Sequence, residues 1–203
     1  SNKELDRFPL LIKFIDAEDN LSIQVHPDDE YGMKTANSLG KTEMWYIIDA
    51  KPGAKLAYGL KESCTIEMLK DAIKNNNVEE MLNYVPVKKG DVFFIPSGLV
   101  HAIGAGILLA EIQQNSNITY RVYDYNRLGK DGKPRELHVQ DALNVIVNRT
   151  EEKKEKIRFS TNVKNTNTLA SCEYFNVDKF NIDGSCEFST NAESFNSILC
   201  LEG

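Results

Sequence analysis

No apolar run in this 203-residue chain approaches the roughly 18–20 residues that a membrane-spanning helix needs. No basic stretch leads into an apolar one near the start, so nothing there reads as a signal peptide and a cytoplasmic location is expected. Histidine is scarce: His26, His101 and His138 are the whole supply, and Trp45 is the sole tryptophan. The four cysteines, Cys64, Cys172, Cys186 and Cys200, contain no C-x-x-C pair. That excludes a zinc knuckle or thioredoxin-like motif and leaves reduced thiols as the simplest reading. Lys and Arg number 24 against 30 Asp and Glu, a net charge of −6. This is the wrong sign for a general nucleic-acid binder, whose grip comes from neutralising phosphates. An anionic ligand would have to be held by a few local cations.

What is present is an ordinary globular composition, 41% hydrophobic and 27% charged, with nine Phe and eight Tyr to build a core. Leu21, Ile23 and Val25 alternate with Ser22, Gln24 and His26, the period of a half-buried strand, which Pro27 ends. Further strands are predicted at 43–48, 56–58, 91–96, 107–114 and 119–125. Thr65 opens a helical insert over about 60–84, with Ile66, Leu69 and Ile73 at helical spacing and a second short helix at 78–82. Another helix is predicted at 139–147. The charge run Glu151–Lys156 reads as a solvated linker, followed by short strands and a turn at Asp183-Gly184. Many short strands with Gly/Pro turns and few helices predict a β-sandwich or barrel. Both ends look cut, and the chain reads as a piece of something longer.

The chemistry concentrates in few places. Gln24 and His26 stand at i and i+2, on one face of a strand. Glu43 opens the next strand, and Lys41 shares its face. His101 closes the stretch Gly90-Asp91-Val92-Phe93-Phe94-Ile95-Pro96-Ser97-Gly98-Leu99-Val100-His101. Two imidazoles, one carboxylate and one amide oxygen suit a borderline divalent ion such as zinc, with a position left for water or substrate.

These residues carry a resemblance. Gly90-x5-Pro96-x-Gly98-x2-His101 is similar to the second cupin motif, with Gly104 in place of its usual terminal Asn. Gln24-x-His26…Glu43 resembles the first motif, with Gln for the usual first His. Leu21–Asp29, Gly40–Tyr46 and Thr119-Tyr120-Arg121 look like the type I mannose-6-phosphate (phosphomannose) isomerases, strongly over about 9–147 and weakly beyond. The resemblance implies a mainly β fold: a jelly-roll-like cupin barrel with a small helical insertion over 1–150, then over 151–203 a linker and the start of an incomplete second cupin domain. It implies one zinc ion per chain held by Gln24, His26, Glu43 and His101. It implies Arg121 near the sugar phosphate or the developing enediolate, and functional roles for Ser22, Lys41 and Glu111. One departure is Ser116-Asn117, where Ser-Asp is usual; the lost carboxylate is expected to tune the surroundings of Arg121.

The implied reaction interconverts mannose 6-phosphate and fructose 6-phosphate through a cis-enediolate. It needs an electrophile on the carbonyl and a base working near neutral pH. Lys41, beside a cation and partly desolvated, and Glu111 are both candidates for the base. Arg121 can fork onto a phosphate or enediolate oxygen, and Ser22, Lys41 and Arg121 are the expected substrate contacts. The expected partner is a small sugar phosphate, with no nucleic acid or membrane, and a monomer or weak homodimer. Blander readings stand beside these. Glu111 could pair with Arg121; Arg121 could stack on Tyr120 or Tyr123; His138 could be a surface or capping residue; Asp28 and Asp29 could be turn residues. Two rival functions are an iron-dependent cupin dioxygenase and a non-catalytic sugar-phosphate-binding cupin.

Overall fold

A computed structural model describes residues 8–129, 131–150, 168–190 and 194–203. Eleven strands and three α-helices follow one another as β1 (Leu10–Ala17), β2 (Ile23–Val25), α1 (Asp29–Ala36), β3 (Glu43–Ala50), β4 (Lys55–Leu60), α2 (Ile66–Lys74), a 3₁₀ turn (Val78–Met81), β5 (Leu82–Pro86), β6 (Val92–Ile95), β7 (His101–Ala102), β8 (Ile107–Gln114), β9 (Tyr120–Tyr123), α3 (Val139–Thr150), β10 (Thr168–Ser171) and β11 (Asn176–Asp178) among the described residues.

The strands form two main sheets, ordered β1-β8-β3-β6 and β5-β4-β7-β2-β9, with every pairing antiparallel. This is the mainly β, jelly-roll-like architecture of a cupin. β1 and β2 follow one another in sequence yet lie in different sheets, so the turn at 18–22 is a corner and not a hairpin. The inner faces meet in one apolar layer. Trp45, Ile47, Ile95, Ile107 and Leu109 come from the four-stranded sheet; Leu56 comes from β4 and Ile103 from just beyond β7. The outer face of the five-stranded sheet is covered by α2, the 3₁₀ turn and α3, through Leu69, Val78, Ala142, Leu143 and Ile146. The outer face of the four-stranded sheet is covered by the β10–β11 hairpin, whose Ala170 and Phe175 pack on Met44, Ala110 and Ile112.

Local signals explain most elements. The Thr65 hydroxyl accepts from the Met68 amide at 3.2 Å, so it caps α2 as the sequence predicts. The insert contains α2 and, as its second short helix, the 3₁₀ turn at Val78–Met81. Asp28 and Asp29 are not turn residues: Asp28 is the N-cap of α1, accepting from Tyr31 N at 2.9 Å, and Asp29 is its first residue. Nothing in Asp29–Ala36 shows a strong apolar stripe, which is why periodicity does not reveal this helix. The charge run 151–156 lies outside the described residues, and the only strands in the described part of 157–203 are those of the hairpin.

Two glycines fix the path of the cupin motif. Gly98 has φ +82°, a left-handed turn that glycine adopts without strain, and its amide donates to the His26 carbonyl at 2.7 Å, which delivers the chain into β7. At Gly104 a Cβ would stand 1.9 Å from the Lys55 backbone oxygen, so no side chain fits there. The departure of this motif from the usual Asn therefore has a packing cause.

Candidate metal centre

The two sheets bring their polar residues to one place because each strand shows alternate residues to the inside. In the five-stranded sheet His101 of β7 and Arg121 of β9 both stand opposite Gln24 of β2, so the three form a row. His26 follows two residues after Gln24. In the facing sheet Lys13, Glu111 and Trp45 form one row, and Gln113 and Glu43 the next.

His26, Glu43 and His101 meet between the sheets, all buried, with one ligand-capable atom from each lying within 4.8 Å of the others. His26 Nε2 is 3.7 Å from Glu43 Oε2, and His101 Nε2 is 3.5 Å from Glu43 Oε1. The far sides of the rings decide the tautomers. His26 Nδ1 lies 2.9 Å from the Ile118 carbonyl and His101 Nδ1 2.9 Å from the Leu99 carbonyl. A carbonyl only accepts, so each Nδ1 carries the proton and each Nε2 turns a lone pair inward. Glu43 Oε1 is buried with no hydrogen-bond partner. Two inward lone pairs and an unpaired carboxylate oxygen are the donor set of a divalent cation, so the residues fit a metal. Gln24 stands beside them with its amide nitrogen 3.4 Å from His101 Nε2, while its amide oxygen accepts from Ser22 Oγ at 3.3 Å. Its oxygen would face the cluster after a half-turn of the amide.

Lys41 is buried and donates to Glu43 Oε2. Its Nζ is also 3.2 Å from His26 Nε2 and 3.7 Å from Glu111 Oε1. Lys13 Nζ donates to Glu111 Oε1 at 2.9 Å and also to Gln113, and Trp45 Nε1 donates to Glu111 Oε2 at 3.1 Å. Lys13, Glu111, Lys41 and Glu43 thus alternate in sign from the half-exposed rim inward. Desolvation pushes both imidazoles toward the neutral form, His26 well below its ordinary value and His101 to about 4, and Lys41 adds to it. Burial pushes the Glu43 carboxyl up to about 7, against the pull of Lys41. For Glu111 desolvation acts upward too, but Lys41 and Lys13 more than offset it and hold the carboxyl below its ordinary range.

The structure therefore brings His26, Glu43, His101, Lys41 and Glu111 into one contact network, with Gln24 and Ser22 alongside. Glu111 pairs with Lys13 and Lys41, not with Arg121. Arg121 donates through Nη1 to the Glu136 carbonyl at 2.7 Å, and its buried Nε has no partner. Among the described contacts the cation–π pair of this region is Arg127 on Tyr125, 5.3 Å from the ring centre, and not Arg121 on Tyr120 or Tyr123. His138 precedes α3, where its carbonyl accepts from Ala142 N at 2.9 Å, a capping position as expected. Asn117 gives its carbonyl to Thr119 Oγ1 at 3.4 Å, while burial, and after it the charge of Arg135, lowers the Arg121 pKa against the pull of Asp124 and Glu136. Sequence reasoning misses Lys13, Trp45 and Gln113. For Lys13 a signal exists: it shares the alternation of Leu11 and Ile15, so it stands on the same face of β1 as two apolar residues.

Fold and site together define a cupin with a buried two-imidazole, one-carboxylate cluster. Residues 1–57 match the model of the phosphomannose isomerase type I catalytic domain. The chain is 46% identical to mannose-6-phosphate isomerase ManA of Bacillus subtilis, over 98% of this chain and 64% of that protein. It is 40% identical to the mannose-6-phosphate isomerase of Streptococcus mutans, over 94% of this chain and 60% of that protein. The crystal structure of mannose 6-phosphate isomerase from Bacillus subtilis superposes with a TM-score of 0.74 at 42% identity, covering 85% of this chain and 55% of that one. The chain is thus similar to the type I phosphomannose isomerases, and it spans just under two thirds of the length of these curated relatives.

Proposed function

We propose that this chain carries the catalytic centre of a zinc-dependent aldose–ketose isomerase that interconverts mannose 6-phosphate and fructose 6-phosphate. The observation that carries the reading is the buried His26–Glu43–His101 cluster, with both Nε2 lone pairs turned inward and Glu43 Oε1 unpaired, in a chain similar to this family. Gln24, His26, Glu43 and His101 would hold the ion. A zinc ion bound there would supply Lewis acidity to the sugar carbonyl. Lys41 and Glu111, 3.7 Å apart, are the pair to move the proton between C1 and C2. Trp45 and Lys13 fix the Glu111 carboxylate, and Ser22 fixes the Gln24 amide. Arg121, with a buried and unsatisfied Nε–H, would meet the phosphate or the oxygen charge of the cis-enediolate. The packed inner layer beside the cluster keeps bulk water from the intermediate.

The reading takes the enzyme as cytoplasmic, a monomer or weak homodimer acting on a small sugar phosphate. It takes residues after 150 as a linker and the opening of a second, incomplete cupin unit. Turnover of mannose 6-phosphate, abolished by chelator and restored by zinc, tests it. Bound iron with oxygen uptake would make the protein a dioxygenase instead. Substrate binding without exchange of the C2 proton with solvent would make it a binding cupin.

A further inference from the structure

Past the metal cluster, β9 ends at a carboxylate that the isomerisation does not use. Asp124 is buried, 4% exposed, and two arginines close on it. Arg135 forks onto both carboxylate oxygens, with Nε to Oδ2 at 2.6 Å and Nη2 to Oδ1. Arg127 reaches Oδ1 through Nη2 at 2.6 Å and ties the same corner to the Asn20 carbonyl through Nη1 at 2.6 Å. The backbone between them is unusual. Tyr125 and Asn126 are consecutive left-handed residues, φ +56° and +55°, in a turn closed by Arg127 N on the Asp124 carbonyl at 3.0 Å. Asparagine tolerates such an angle, but a tyrosine holds it only where surrounding contacts over-determine it. The segment then folds back through the Leu128–Pro134 bridge and a 2.7 Å hydrogen bond from Gly129 N to the Lys133 carbonyl. It returns to β9 at Glu136, whose carbonyl receives Arg121 Nη1, and at His138, whose amide donates to the Arg121 carbonyl at 2.8 Å.

We infer that Asp124 is a positioning residue for Arg121: by clamping Arg127 and Arg135 it sets the 124–136 excursion, whose Glu136 carbonyl orients the Arg121 guanidinium beside Gln24. The clamp also occupies the two neighbouring arginines, so that Arg121 is the guanidinium here with an unpaired, buried Nε–H. This inference rests on the reading of Arg121 as the group that faces the sugar phosphate.

The test uses the chain labelled with [15N]arginine, together with D124N and R135Q. R135Q loosens the clamp from its solvent side, Arg135 being 44% exposed, and serves if D124N fails to fold. The Arg121 Nε–H signal, assigned by its loss in R121K, is expected to be resolved and slow to exchange in the parent, and to shift and exchange faster in both variants. An Arg121 signal unmoved in D124N and R135Q, while those of the remaining clamp arginines move, overturns the inference. On mannose 6-phosphate, kcat/KM is expected to fall about tenfold to a hundredfold in D124N at unchanged bound zinc, with no further fall when D124N is added to R121K. An equal fall in the R121K background overturns positioning through Arg121. If the parent does not isomerise mannose 6-phosphate, the functional reading fails, and the NMR comparison still decides the role of Asp124.

Discussion

Replacing Trp45 by Phe separates what packing and what a single polar contact contribute at the centre of this fold. Trp45 is fully buried, and its Nε1–H points at the Glu111 carboxylate, 3.1 Å away. Its ring also lies edge-on to His101, with centroids 5.4 Å apart. A hydrogen bond to an ionised partner in such a site contributes about 1.5–3 kcal/mol. The smaller ring also leaves a void in the inner layer, so the single variant is expected to lose roughly 3–5 kcal/mol in all. Urea unfolding followed by circular dichroism measures it, since the sole tryptophan is the residue removed. A double-mutant cycle with Glu111→Leu isolates the contact, and a coupling of about 1.5–3 kcal/mol is expected between positions 45 and 111. A coupling near zero at full loss of stability in W45F would refute the reasoning: Trp45 would then act by volume alone, and Glu111 would owe its placement to the lysines.

Further outcomes follow from the same geometry. Glu43→Gln removes the only carboxylate of the cluster and is expected to abolish stoichiometric zinc by elemental analysis, while the folded circular-dichroism spectrum is kept. Gly104→Asn restores the usual cupin residue yet pushes a Cβ to 1.9 Å from the Lys55 oxygen; it is expected to cost at least about 2 kcal/mol in thermal unfolding, and a neutral result would contradict the packing. Acidification is expected to act on the metal-free fold with two signs. His101, lowered to about 4 from an ordinary value of 6.5, binds fewer protons folded than unfolded, so its contribution is lost as pH falls below 6.5. Glu43, raised to about 7 from 4.5, binds more protons folded than unfolded, so its contribution is lost as pH rises from 4.5 to 7. Zinc requires the ionised carboxylate, so the rise in melting temperature on adding zinc is expected to shrink as pH falls below about 7, and a rise independent of pH between 5.5 and 8 would contradict that placement of Glu43.

Strand-borne features were the legible ones. The alternation of Leu21–His26 placed Gln24 and His26 on one face, and the Pro96–Gly98 turn placed His101, because period 2 and turn chemistry are local. Helix α1 was hidden because its signal is a cap, Asp28, and not a stripe. The partner of Glu111 was not legible because it depends on register: Lys13 lies 98 residues away in sequence and opposite Glu111 in the sheet. The same holds for the hairpin that covers the outer face of the four-stranded sheet, since nothing local in Thr168–Asp178 names Met44 and Ile112 as its contacts. The glycine that breaks the cupin motif reads as a defect in sequence, and only the approach of the Lys55 carbonyl shows it to be a fit.

In the proposed function the His26–Glu43–His101 cluster holds a metal on which sugar-phosphate isomerisation depends. Conversion of mannose 6-phosphate to fructose 6-phosphate should be measured on the chelator-treated protein, before and after adding one equivalent of zinc. Loss of turnover with chelator and recovery with zinc are expected in the parent, with no recovery in Glu43→Gln. Undiminished turnover after the metal has been removed, or recovery in Glu43→Gln equal to the parent's, would contradict it.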